Sequence, residues 1–170
     1  MYIGTQDLLK QYDAYLLEHG YQIEELVNLA SDALLNHFTQ YNRFAILIGP
    51  GNNGADGYSL GLKLEKQGKH VIYYYSGDIG KVSQANRYYR DQCEENHLIY
   101  VDEDNINTIN WNDYDCIVDG LFGFGLNSAP RGMYKIIIES IMNNYNGTIG
   151  AIDIPTGLDC NTGKAYDGAL

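Results

Sequence analysis

The side chains with the most chemistry to offer fall in three short stretches: GPGNNGADGYS at 49–59, VDGLFGFGLNSAPRG at 118–132 and AIDIPTG at 151–157. The first carries Asn52, Asn53 and Asp56 on a loop whose glycines at 49, 51, 54 and 57 let the backbone approach a ligand that a β-carbon would hold off. It lacks the GK[ST] ending of a nucleoside-triphosphate phosphate loop. It suits a ligand with a sugar-phosphate part, a hard cation, or both. In the other two stretches, Asp119 and Asp153 each end an apolar run, where a carboxylate is costly to desolvate without a cation or a donor. Ion pairing or helix capping would explain one such residue. Two, beside the asparagine loop and Thr156, point to an oxygen-lined site for potassium, sodium or a divalent ion. Backbone N–H groups of GFGLNSAPRG at 123–132, together with Arg131, can meet a phosphate.

For these stretches to meet, the chain must fold as an α/β protein. Alternating short apolar runs and helical periodicity place strands at 44–48, 70–75, 97–101, 115–118 and 148–152, with helices at 56–67, 83–95 and 132–145 and a short irregular piece near 104–110. Two helices, 5–19 and 22–39, precede them, and Ser83 is the expected cap of the 83–95 helix. Short apolar strands between helices imply a mainly parallel, doubly wound, Rossmann-like sheet with helices on both faces. Right-handed crossovers then give the order 3-2-1-4-5. The loops 49–57, 119–132 and 153–163 become neighbours at the carboxyl ends of strands 1, 4 and 5.

Several sharper motifs lose to blander readings. GxGxxG at 49–54 has the strand-to-helix context of a dinucleotide fingerprint, but no clear ribose-binding acid ends the second strand, Asp78 coming late, which argues against a conventional dehydrogenase mode. A ligand-free turn, for its part, leaves Asn52, Asn53 and Asp56 unexplained. GxSxG at 57–61 is not a nucleophile elbow, because Ser59 falls inside a helix and no histidine follows His97. The four histidines have no zinc spacing. The acidic run VDEDN at 101–105 reads as a solvated loop. Sixteen tyrosines are read mainly as strand packing.

Bulk properties narrow the classes further. At 170 residues, 45% hydrophobic and 19% charged, the chain is expected to form one soluble domain over 1–170. A net charge of -11 argues against a nucleic-acid partner. No apolar run suits a membrane span and the amino terminus does not resemble a signal peptide. Three cysteines without CxxC spacing fit reduced thiols in the cytoplasm.

Taken together, GPGNNGADGYSLGLKL at 49–64, VDGLFGFGL at 118–126, RGMYKIII at 131–138 and AIDIPTGLDCNTG at 151–163 resemble the YjeF amino-terminal domain family, whose enzymatic members are NAD(P)H-hydrate epimerases. The resemblance implies interconversion of the R and S epimers of hydrated NADH or NADPH. It implies substrate contacts at Asn52, Asn53, Gly54, Ala55 and Asp56, at Gly123, Phe124, Gly125, Leu126, Asn127, Ser128 and Ala129, and at Asp153, with Arg131 beside them. It also implies a potassium ion held by Asn53, Asp119 and Thr156 with help from carbonyls of 123–126. Asp153 is the candidate catalytic acid–base, expected to be buried and raised toward neutral pKa. A homodimer is implied, with a separate ATP- or ADP-dependent dehydratase acting on the product; the rival class is a non-catalytic scaffold of the same family. Ala55 stands where the family has glycine and Phe124 where it has threonine, LVNLAS at 26–31 matches loosely, and such domains usually continue beyond the point of Leu170.

Overall fold

The computed structural model describes residues 5–170. Its parallel sheet runs in the order β3-β2-β1-β4-β5, as the crossover rule requires. The strands are β1 Arg43–Ile48, β2 His70–Tyr75, β3 Leu98–Tyr100, β4 Cys116–Gly120 and β5 Thr148–Ala151; the helices are α1 Gln6–Glu18, α2 Ile23–Leu35, α3 Asn52–Lys66, α4 Gln84–Arg90 and α5 Met133–Asn144. All pairings are parallel, with Leu47 opposite Asp119 and Asp119 in turn opposite Ala151. Alternate residues of β1 serve opposite faces, as the strand period demands. Phe44, Ile46 and Ile48 pack with Tyr58, Leu60 and Leu64 of α3, Val27 of α2 and Tyr89 of α4. Ala45 and Leu47 face Ile137, Ile138 and Ile141 of α5, together with Trp111. Among the described residues no helix is long and apolar enough to cross a membrane.

The differences from expectation lie at the element ends. The helix expected from residue 56 starts at Asn52, so the asparagines stand in its first turn instead of on a free loop. Glycine is a poor helix former, and packing overrides that here. Gly54, Gly57 and Gly61 are all buried, and a Cβ on Gly61 would strike the Tyr73 ring. The helix can lie close to the sheet only because that seam has no side chains. Helices α2 and α4 stop at Leu35 and Arg90, not at 39 and 95, because tighter three-residue turns wind them down. The carbonyls of Leu34 and Leu35 accept from His37 and Phe38, and those of Tyr89 and Arg90 accept from Gln92 and Cys93. Asp119 lies inside β4 rather than beyond its end.

The bland readings of the motifs hold. Ser59 is buried in α3, with its hydroxyl 2.8 Å from that of Ser31. His97 pairs with Glu65 at 2.6 Å. Tyr73 and Tyr74 are core residues, and Cys93, Cys116 and Cys160 are free thiols.

Two glycines of the same loop should respond differently to alanine. A Cβ on Gly49 would overlap the backbone carbonyl of Leu121, whereas one on Gly51 meets open space. Gly49→Ala should therefore lower unfolding free energy by about 1–3 kcal/mol, and Gly51→Ala should stay within about 0.5 kcal/mol of wild type. Urea titration of both variants checks the difference.

Candidate active site

The α3 amino terminus is held from outside by α4. Ser83 caps α4 by accepting from the Asn86 N–H at 3.2 Å, which orients buried Asn86 toward the glycine loop. The Asn86 amide donates to the Gly49 carbonyl at 2.8 Å and the Gly51 carbonyl at 3.2 Å, while the Ser83 N–H donates to that of Pro50 at 2.9 Å. Three successive carbonyls are thus turned away, and the N–H groups at the start of α3 face the crevice, where an anion is favoured. Sequence reasoning missed Asn86. Its only signal was its place three residues after the Ser83 cap.

A second layer joins β4 to the chain that follows β5. The Asp119 carboxylate is fully buried and accepts from the Thr156 N–H at 2.7 Å, the Thr156 hydroxyl at 2.7 Å and the Leu121 N–H at 3.1 Å. Burial pushes its pKa up, and these three donors oppose the rise. The Thr156 hydroxyl oxygen also accepts from the Phe122 N–H at 3.1 Å and lies 3.2 Å from the Phe122 carbonyl oxygen. The Phe124 N–H in turn donates to Asp153 at 2.7 Å.

Above this layer opens a cavity of about 800 Å³, within the size range of small-molecule sites. One wall is apolar, with Ile23, Leu26, Val27, Ala30, Ala33 and Leu34 supplied by α2. The polar side holds Asn52, Asn53, Asp56, the turn from Gly123 to Asn127, and Asp153, all expected from sequence. Asp13 of α1 joins them unexpectedly; nothing in the periodicity of a largely exposed helix marked it.

Other expected contacts fall elsewhere. Gly54 and Ala55 are turned into the core, and the Ala55 N–H is donated to the Gly51 carbonyl at 3.4 Å. Gly54 therefore offers a ligand its backbone alone. Ser128, Ala129 and Arg131 lie outside the lining, with Arg131 exposed just before α5. Asp119 and Thr156 sit beneath the cavity floor, next to Leu121 and Phe122 that line it.

The burial expected of the acid–base group is found at a different acid. Asp153 is exposed rather than buried. Asp56 is the more covered of the two, and its carboxyl is pushed up to about 7 first by burial, then by the neighbouring charges of Asp153 and Asp13. Burial and Asp153 also raise Asp13. Among the described residues no cationic side chain lines the cavity to offset these carboxylates.

The oxygens available to a cation are the Asn53 amide, Asp119, Thr156 and the backbone of the 121–126 turn. Among the described residues no three His, Cys, Asp or Glu side chains cluster as metal ligands. The Asn53 side-chain nitrogen is buried without a hydrogen-bond partner. Since an amide can present its oxygen at the same spot, the position fits a hard cation.

The family model described as YjeF-related protein N-terminus matches residues 23–170. The chain belongs to that family. Its YjeF amino-terminal domain therefore spans α2 to the last described residue, with α1 preceding the match. A protein of Anaerococcus prevotii named NAD(P)H-hydrate epimerase is 34% identical over 83% of this chain and 67% of its own length. One of the same name from Leuconostoc citreum is 30% identical over 100% of this chain and 76% of its own. A yeast crystal structure superposes with a TM-score of 0.85 at 23% identity, covering 100% of this chain and 77% of that one. It shares the fold.

The raised Asp56 carboxyl implies a pH signature. Folded Asp56 keeps a proton between its unfolded value near 3.8 and about 7, so the folded state binds more protons there and stability falls as pH rises through that window. The loss is on the order of 4 kcal/mol. Asp56→Asn should be more stable than wild type at pH 8, with the difference vanishing near pH 4. Urea unfolding at both pH values measures it.

Proposed function

We propose that this chain is an NAD(P)H-hydrate epimerase, interconverting the R and S forms of hydrated NADH and NADPH in cofactor repair. The observation that carries the reading is the pairing, in one cavity, of a covered Asp56 whose carboxyl is pushed up to about 7 with an Asp153 whose carboxylate is oriented by the Phe124 N–H. The names of the relatives support it.

The reacting carbon of such a substrate bears a hydroxyl and is bonded to the ring nitrogen. Inversion needs no redox change. Asp56 donates its proton to the departing hydroxyl as the nitrogen lone pair forms a C=N bond and the C–O bond breaks, releasing water. Water then adds to the other face and gives its extra proton to Asp153, restoring the lone pair to nitrogen. Proton return from Asp153 to Asp56 closes the cycle, and the roles reverse for the opposite epimer. Such acid–base work typically contributes about 10²–10⁴-fold. The N–H groups at the start of α3 supply the pole for the dinucleotide phosphates that the cavity side chains lack.

Asn53, Asp119 and Thr156, with carbonyls of the 123–126 turn, would hold a potassium ion. When bound it would offset the cluster of carboxylates and fix the turn. The chain acts as a cytoplasmic homodimer, and a separate dehydratase consumes one epimer; the free thiols and the exposed Leu8, Tyr12, Tyr15 and Leu29 of α1 and α2 fit this.

Incubation with a single epimer followed by chiral chromatography, with and without potassium, tests the reading. Wild type should interconvert the epimers faster with potassium, and Asp153→Asn should lose activity by roughly 10²-fold or more while keeping its fold. A folded wild type that leaves the epimer unchanged would favour a non-catalytic module instead, and full turnover by Asp153→Asn would remove that residue from the mechanism.

A further inference from the structure

No side chain of helix α1 is fully buried, yet the helix is attached to the site at a defined point. Its first residue, Gln6, donates its side-chain amide to the Phe124 carbonyl at 2.8 Å and its backbone N–H to Asn161 Oδ1 at 3.1 Å. The two bonds join α1 to both of the loops that follow β4 and β5.

Phe124 sits at a decisive place. The Leu126 N–H donates to the Gly123 carbonyl at 3.1 Å, making 123–126 a tight turn with Phe124 and Gly125 at its centre. Gly123 packs so close to Asp153 that any side chain there would overlap the carboxylate. With its N–H on Asp153 and its carbonyl on Gln6, Phe124 has both backbone polar groups committed, one to the reacting side of the cavity and one to α1. The Cys160 thiol, 3.7 Å from the same carbonyl, is a far weaker donor.

We propose that Gln6 is a positioning residue for Asp153: by clamping the Phe124 carbonyl it fixes the turn, and the Phe124 N–H then keeps the Asp153 carboxylate aimed into the cavity. This rests on the reading of Asp153 as a proton-transfer group. The same docking sets Asp13 on the cavity wall, so α1 is part of the site. Gln6 touches no reacting atom and acts through Phe124 alone.

Two variants of the full chain separate the hydrogen bond from packing. Gln6→Ala removes the side chain, and Gln6→Glu keeps its shape but has no amide donor. Both should lower kcat about three- to tenfold, the effect of one lost hydrogen bond. Both should also speed amide hydrogen exchange at Phe124, read by NMR, with the thermal midpoint nearly unchanged because no side chain of α1 is fully buried. Gln11→Ala, on an exposed position of the same helix, is the control and should leave both readouts alone. If Phe124 exchange stays at the wild-type rate, or speeds up without any fall in kcat, the proposal is overturned. If wild type itself fails to interconvert epimers, the epimerase reading falls, and exchange at Phe124 alone decides whether the clamp exists.

Discussion

A carboxylate buried within a sheet has to be answered by donors, and Asp119 obtains one from Leu121, in the chain just beyond it, and two from Thr156, far along the sequence. Because the group is fully enclosed, loss of any one donor would leave an acceptor unsatisfied, at roughly 1–3 kcal/mol. The arrangement therefore forces the chain after β5 to lie against the chain after β4. The contact of Asp153 with Phe124 follows from that, as does the return of the carboxyl-terminal segment, where the Leu170 N–H donates to the Thr156 carbonyl at 2.8 Å. The cavity is the space left above this joint.

The cavity's electrostatics run against stability. Asp13, Asp56 and Asp153 share a space in which, among the described residues, no cationic side chain answers them. A protein selected for stability alone would have amides or apolar groups there. Perturbed carboxyls gathered in a cleft are what proton-transfer sites require, and the cost is carried by the core on either side of the sheet.

Much of this could be read from residue order. Strand order was legible because each short apolar run is followed by a helical pattern, and handedness leaves few ways to connect such units. The grouping of Asn52, Asn53, Asp56, Gly123 to Asn127 and Asp153 was legible because those residues follow strands that must be adjacent. Illegible features depend on tertiary packing. The early start of α3 arises because the sheet accepts a helix with a bare glycine seam, which propensity alone would not suggest. That Asp56 is covered while Asp153 is exposed follows from the packing of α2 over the start of α3, not from local sequence. Asn86 and Gln6 act through backbone carbonyls far along the chain, so no motif announces them.

The two sides of the crevice also differ in how freely they can change. On the α3 side, Gly54, Gly57 and Gly61 leave no room for added atoms, since a Cβ at Gly57 would come within 2.9 Å of Ile48. On the facing turn, Gly125 and Asn127 are exposed, and a Cβ on Gly125 would meet nothing. A ligand of different size can thus be accommodated by substitution at Gly125 or Asn127 without disturbing the packing of α3 on the sheet.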